Sequence, residues 1–342
     1  MSAQAEILPT DTPALFRAAV ARAAESLRAG EVVALPTETV YGLAANALDP
    51  AAVAKIFASK GRPAHNPIIV HVASLTMAKH CVSQWPAMAD KLAAAFWPGP
   101  LTMVLPRSGE IPDVVTAGGP TVGIRWPSHP IIQEVIRECG FPLAAPSANV
   151  SNAISPTNAG HVRKSLGDCV RLIVDGGQSQ VGIESTVLDL TAAPPRVLRP
   201  GMIHEESLLA VVGELEARNA ERGTRNETLR SPGLLRKHYA PNARLVVLRW
   251  RDDADLRAQL AALRIARSAF VIAHTHIPSG EGFTGVSVIP HDAEAFARAI
   301  YAELHRCDEA GAELIVVEAL PEGAAWRGIT DRLSRAAAGQ GS

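Results

Sequence analysis

The apolar positions of this chain fall into two patterns, separated by a polar stretch that begins near residue 217. In the first, residues 15–29 place apolar side chains at helical spacing among Ala, Arg and Glu, and Gly30 supplies a stop. Residues 32–35 form a short continuous apolar run ending at Pro36, as a buried strand does. Asp49-Pro50 opens the next helix, with Asp49 as N-cap and Pro50 at the first helical position, and Lys60 falls at or just past its end. Residues 68–72 read as a strand, and Ser74 caps another helix. Further strands are expected at 101–105, 121–126, 143–145, 170–174, 185–190 and 196–199, with helices at 130–139 and 157–166. Strands outnumber helices and do not alternate with them regularly, so a mixed α/β sheet with antiparallel as well as parallel pairs is predicted.

Residues 218–230 are charged and polar with little apolar content, the composition of a linker. Beyond them the alternation is cleaner: strand 245–248, helix 253–264, strands 269–273 and 286–289, helix 292–310, strand 314–318 and helix 324–337. That order predicts a smaller, Rossmann-like α/β domain. The chain therefore divides into an N-terminal domain at 1–215, a linker at 216–243 and a C-terminal domain at 244–342.

Length and composition agree with two soluble domains: 342 residues, 47% of them apolar and 20% charged. A net charge of −1 provides no basic field to attract nucleic acid. Cys81, Cys139, Cys169 and Cys307 are scattered with no C-x-x-C pair, which fits a reducing cytoplasm better than a disulfide framework. Met1 to Asp11 has no apolar signal core, and no apolar run approaches the ~20 residues of a membrane helix. A cytoplasmic protein with no membrane partner is expected.

The chemistry sits in loops that follow the strands. Pro36 to Gly42 follows the first buried strand, and such strand ends are where α/β proteins hold ligands. Thr37 and Thr39 offer hydroxyls there, although capping threonines in an ordinary turn look the same. Lys60-Gly61-Arg62-Pro63, with Asn66-Pro67, sets a point charge and a planar fork side by side, a pairing suited to phosphate oxygens. Cations are also favoured at a helix C-terminus, so the residues alone leave both readings standing. His71 lies in an apolar run and reads first as a core histidine. Arg125 ends a strand, placed to hold a carboxylate or to pair with a surface acid.

Ser147-Ala148-Asn149 and then Ser155-Pro156-Thr157 bring small hydroxyl and amide groups after a strand, as a ribose or phosphate contact requires and as a capping turn also does. Glu184-Ser185-Thr186 precedes a strand and Arg199-Pro200-Gly201 ends one, Arg199 adding a further cation for phosphate. His274 and His276 have no companion ligands in sequence, so no zinc site is expected. Neither G-x-S-x-G nor a P-loop is present, and no cysteine stands in an activating context, so no protein nucleophile is expected.

Lys60-Gly61-Arg62, Ser147-Ala148-Asn149, Pro36 to Gly42, Glu184 to Val187 and Arg199-Pro200-Gly201 together resemble the YrdC-like domain. Ser231-Pro232-Gly233 and Lys237-His238-Tyr239-Ala240-Pro241 resemble the longer, two-domain form, the threonylcarbamoyl-AMP synthase family. The resemblance implies a YrdC-like twisted mixed sheet and a reaction in which L-threonine and bicarbonate give a carbamate. That carbamate attacks the α-phosphate of ATP and releases pyrophosphate. The product then serves a tRNA threonylcarbamoyl transferase complex that modifies adenosine next to the anticodon, with at most a weak tRNA contact on this chain.

By resemblance, Lys60 and Arg62 carry the catalysis. Together with Asn66, Thr121, Ser147, Asn149, Ser155, Arg199 and Tyr239 they face ATP. Thr37 or Thr39, His71, Arg125, Ala145 (through its backbone) and Ser185 face L-threonine. Mg²⁺ is implied on the phosphates, with no carboxylate pair to announce a protein metal site. Residues 228–241, carrying Tyr239, are expected to act as a lid over a product that water would hydrolyse.

Three positions depart from the family pattern: Leu234 for Met, Asn152 for Gly, and Asp331 in an otherwise Asn-Arg-Leu triplet. Asn152 is expected to tolerate a left-handed turn. Two other functions compete, a carbamoyl transferase working through carbamoyl-AMP and a non-catalytic RNA-binding translation or ribosome-maturation factor. The first lacks its zinc-finger cysteine spacing here, and the second is disfavoured by the near-neutral charge.

Overall fold

The computed structural model describes residues 5–216, 239–262, 269–279 and 281–338. They separate into two compact units. The first comprises residues 1–151, 156–180 and 184–234; the second comprises 152–155, 181–183 and 235–342. Two short pieces of the N-terminal stretch, Asn152–Ser155 and Val181–Ile183, cluster with the second unit. Most of the expected linker and lid, 217–238, lies outside the described residues, and with it Ser231, Leu234 and His238.

The first unit runs β1 (Glu6–Leu8), α1 (Pro13–Arg28), β2 (Val33–Leu35), β3 (Gly42–Asn46), α2 (Pro50–Lys60), β4 (Val70–His71), α3 (Leu75–His80), α4 (Ala87–Phe96), β5 (Leu101–Pro106), α5 (Asp113–Thr116), β6 (Thr121–Arg125) and α6 (Pro130–Cys139). It continues with β7 (Leu143–Ala144), α7 (Ala159–Leu166), β8 (Leu172–Val174), β9 (Thr186–Asp189), β10 (Arg196–Arg199) and α8 (Glu205–Val212). Among the described residues its strands form one sheet in the order β1-β8-β2-β3-β7-β4-β6-β5-β9-β10. Both pairing senses occur: β4 runs parallel to β6, while β3, β4 and β7 pair antiparallel.

Period-two alternation sorts the sheet's side chains between two cores. Val33, Leu35 and Ala44 pack with Val20, Ala23 and Leu27 of α1 and with Ile131, Ile132 and Val135 of α6. Ala34, Leu43 and Ala45 point the other way, into a core with Val53 and Ile56 of α2 and Leu92 of α4. Asp49 caps α2 as the sequence predicts, and Gly61 ends it at φ +58. That left-handed turn points Arg62 and Pro63 away from the helix axis and starts the cationic loop.

Several expected elements differ. The strand expected at 68–72 shrinks to Val70–His71, because Ile68 N–H donates to Val115 O and Ile69 O accepts from Ala145 N–H. Strand β3, helix α4 and helix α8 are not among the predicted elements; β3 reads Gly-Leu-Ala-Ala-Asn and has no β-branched residue to signal it.

The second unit contains β11 (Arg244–Leu248), α9 (Asp253–Ala262), β12 (Ala269–Ala273), β13 (Gly285–Val288), α10 (Ala293–Glu309), β14 (Leu314–Glu318) and α11 (Ala324–Ala337). Its described strands are all parallel, in the order β11-β14-β12-β13, as a Rossmann-like unit requires. Glu318 at the end of β14 accepts the N–H groups of His274 and Thr275, at 2.7 and 2.8 Å. His276 Nδ1 lies 2.8 Å from the same carboxylate, so the two histidines belong to a strand-end turn.

All four cysteines are unpaired; Cys81, Cys139 and Cys307 are buried and Cys169 is exposed. Burial pushes the Cys81 thiol up to about 12 and those of Cys139 and Cys307 up to about 11. Among the described residues no helix is long and apolar enough to cross a membrane.

Candidate active site

Three loops of the first unit meet beside β3. Leu43 N–H donates to Pro146 O and Ala148 N–H to Tyr41 O, both at 2.8 Å, which seats the Ser147 turn against the Pro36-to-Gly42 loop. Lys60, the last residue of α2, is 2% exposed and donates its ammonium to the carbonyls of Ser147 and Asn149. Ser151 N–H returns a bond to Lys60 O at 2.9 Å. Burial and then the charge of Arg62 push Lys60 well below the ordinary lysine range. Lys60 thus joins the Lys-Gly-Arg and Ser-Ala-Asn segments physically, by clamping one loop to the end of the other's helix.

Arg62 donates from Nε to Asn66 O at 3.0 Å and from Nη2 to Pro67 O at 2.7 Å, which curls the 62–67 loop around the guanidinium. Asn66 is fully buried, and neither atom of its side-chain amide has a hydrogen-bond partner among the described residues. A buried amide without partners costs free energy unless a ligand satisfies it. Thr121 opens β6 and lies near Thr102, Thr116 and Val187 around a small internal cavity.

A second corner forms where β4 and β6 end in register, His71 opposite Arg125. Arg125 donates from Nη1 to Thr39 Oγ1 at 2.9 Å. Its Nη2 lies 2.8 Å from Glu38 Oε1, and both side chains are buried. The spacing is that of an ion pair, yet the angles align no hydrogen bond: Arg125 Nε and Nη2 and both Glu38 oxygens lack one among the described residues. Burial, reinforced by Arg125, pushes His71 down to about 3 against a backbone bond to Ile69 that works the other way. The imidazole is therefore neutral at physiological pH.

Thr37 and Thr39 are not equivalent. The Thr37 hydroxyl donates to Val40 O at 2.6 Å and accepts from Thr39 N–H and Val40 N–H, both at 3.2 Å, so its capacity is filled. Thr39 Oγ1 meets the Thr37 hydroxyl at 2.9 Å and also accepts from Arg125 Nη1.

Ser185, fully buried, meets Thr102 Oγ1 at 2.8 Å and accepts Arg199 Nη2 at 3.1 Å, while Arg199 Nε donates to Ser185 O at 3.1 Å. Ala145 N–H is taken by Ile69 O at 3.1 Å. Ser155 and Tyr239 belong to the second unit. There Ala240 N–H donates to Asn152 O at 2.9 Å, and Asn152 adopts φ +70, the left-handed turn its side chain tolerates. Tyr239, also at positive φ and 1% exposed, stacks on Tyr301 with ring centres 6.1 Å apart and lies under Arg332. Asp331, the residue that departs from the family triplet, pairs with Arg332 at 3.0 Å and Arg335 at 3.1 Å.

The family model described as "Telomere recombination", which joins the Sua5, YciO and YrdC proteins, matches residues 25–201. A second, described as the C-terminal domain of threonylcarbamoyl-AMP synthase, matches residues 203–338. The threonylcarbamoyl-AMP synthase of Pyrococcus abyssi is 40% identical over 92% of this chain and 92% of its own. The chain belongs to the threonylcarbamoyl-AMP synthase family. The Bacillus subtilis member is 38% identical over 94% of this chain and 93% of its own. A crystal structure of P. abyssi Sua5 complexed with L-threonine superposes with a TM-score of 0.87, at 36% identity over 97% of this chain and 96% of that one.

The residue that motif reading passes over is Glu38. It lies inside the Pro36-to-Gly42 loop, and the signal available was an acid in a loop otherwise made of Pro, Thr, Val, Tyr and Gly after a buried strand.

Proposed function

We infer that this protein makes threonylcarbamoyl-AMP and pyrophosphate from L-threonine, bicarbonate and ATP. Membership in the family supports the reaction, and one local observation carries the assignment of the amino-acid site. Arg125 is buried, anchored through Nη1 on Thr39, and has its Nε–Nη2 edge without an aligned acceptor among the described residues. That edge is the geometry in which a guanidinium takes a carboxylate through two parallel bonds. L-threonine would place its carboxylate there, with Thr39, neutral His71, the Ala145 backbone and Ser185 around the rest of it. Thr37, its hydroxyl saturated, would shape the loop.

Lys60, Arg62, Asn66, Thr121, Ser147, Asn149 and Arg199 would face the nucleotide, the unpartnered Asn66 amide being the most pointed support among them. The carbamate of threonine is its own nucleophile, so the protein's share is positioning and neutralising the charge that develops on the α-phosphate. Among the described residues no group of three His, Cys, Asp or Glu is placed to hold a metal ion. Mg²⁺ would come on the phosphates of ATP. The product would pass to a transferase complex acting on tRNA adenosine beside the anticodon, in the cytoplasm, where unpaired cysteines are at home.

The test mixes the purified protein with ATP, Mg²⁺, L-threonine and bicarbonate, then follows pyrophosphate and adenylates by rapid mass spectrometry. A threonylcarbamoyl-AMP signal that needs both threonine and bicarbonate is the expected result. No ATP turnover under these conditions would refute the reading.

A further inference from the structure

Glu38 has no part in the chemistry above, and its surroundings do not suit a purely structural acid. Its carboxylate is buried beside Arg125, 2.8 Å from Nη2, but neither oxygen accepts a hydrogen bond among the described residues. A buried ion pair offsets the cost of desolvating two charges only when its geometry is good and further hydrogen bonds complete it. Here Arg125 is completed only through Nη1 on Thr39, and the Glu38 carboxylate has no hydrogen bond among the described residues. What the pair offers is a cation and an anion side by side and buried, each with unused bonding capacity among the described residues. The ligand that complements such a pair carries both charges at short separation: the zwitterion of an α-amino acid, whose carboxylate and ammonium share one carbon.

We propose that Glu38 binds the ammonium of the substrate amino acid and accepts the proton this group sheds as it becomes a carbamate. The inference rests on the threonine reading of Arg125 given above. Two histidines sense this pair, His71 through the charge of Arg125 and His129 through that of Glu38. Burial holds both imidazoles down. Two histidines disinclined to ionise leave Glu38 as the counter-charge for an ammonium.

The step balances. The nitrogen enters as an ammonium and leaves as a carbamate nitrogen, with one N–C bond formed to the carbon of bicarbonate and one C–OH bond broken. Of the two protons lost from nitrogen, one departs with the hydroxide as water and the other moves to Glu38. An un-ionised glutamic acid then stands beside Arg125, and the charge of the carbamate is freed for the phosphate end of the site.

The experiment titrates the full-length protein, without ATP, with L-threonine and with its des-amino analogue 3-hydroxybutanoate. The native protein is expected to prefer L-threonine by at least about tenfold, the worth of one charge-assisted contact. Glu38→Gln is expected to lose most of that preference. Its kcat for threonylcarbamoyl-AMP should fall at least about a hundredfold, the usual share of a general base, with KM for ATP little changed. Glu38→Asp should recover part of both.

Equal binding of the two ligands by the native protein would overturn the proposal, as would a Glu38→Gln protein that keeps both preference and rate. If Glu38→Gln does not fold, the native protein's comparison of the two ligands decides alone. A native protein that binds no L-threonine at all would refute the threonine reading itself, an outcome distinct from threonine binding without discrimination.

Discussion

Arg125 uses its groups differently: Nη1 donates to Thr39, while Nε and Nη2, the latter 2.8 Å from Glu38, have no aligned acceptor among the described residues. Arg125→Lys retains the charge and loses the fork, so L-threonine affinity should drop about ten- to a hundredfold, measurable by calorimetry. An unchanged affinity would exclude two-bond recognition. His71 is held at about 3 against an ordinary 6.5. Between those values the unfolded chain binds a proton that the folded chain refuses, so this contribution to stability is present above 6.5 and is lost as pH falls toward 3. Each unit is worth about 1.4 kcal/mol, and His71→Gln should flatten the acid side of the urea-midpoint profile relative to the parent. Parallel profiles would show that His71 does not carry this term. The motif loops could be picked out in the sequence because they set polar groups beside the ends of strands and of α2. Their division of labour could not, since the acceptors of Lys60 are backbone carbonyls 87 and 89 positions away, which no side-chain pattern encodes.

At the level of elements, the sequence marks caps and buried strands well and short pairings poorly. Asp49 and Pro50 announce α2 because each acts on its own backbone. Strand β3 is set instead by its neighbours β2 and β7, which supply the hydrogen bonds that its alanines do not advertise. The Arg199-Pro200-Gly201 corner is a similar long-range device. A methyl on Gly201 would stand 2.5 Å from Thr186 N and 2.9 Å from Glu184 O, against backbone that cannot yield cheaply. Gly201→Ala should therefore cost about 1–3 kcal/mol in denaturant unfolding and raise KM for threonine, since Ser185 lies between the two atoms it would push. A variant of native stability would mean that the strand start relaxes freely.

Across the whole molecule, two sheets of different character serve one chain: a mixed sheet whose strand ends carry the candidate chemistry, and a smaller parallel one. Thr39, His71, Arg125, Ala145 and Ser185 all lie in the first unit. A fragment ending at residue 216 is therefore expected to bind L-threonine within about threefold of the full chain by calorimetry. Loss of binding in a folded fragment would show that the threonine corner needs the rest of the chain. The two-domain organisation was visible in the sequence as a change of composition. That Asn152–Ser155 and Val181–Ile183 side with the second unit was not, because membership there depends on packing partners far along the chain.

The distribution of thiols has a practical corollary for such experiments. Three are sequestered and reluctant to ionise, while Cys169, in the turn between α7 and β8, stands in solvent. A maleimide dye should thus attach once per molecule under native conditions and at one known address. The unaltered sequence comes with its own mounting point for a fluorescent reporter on the first unit.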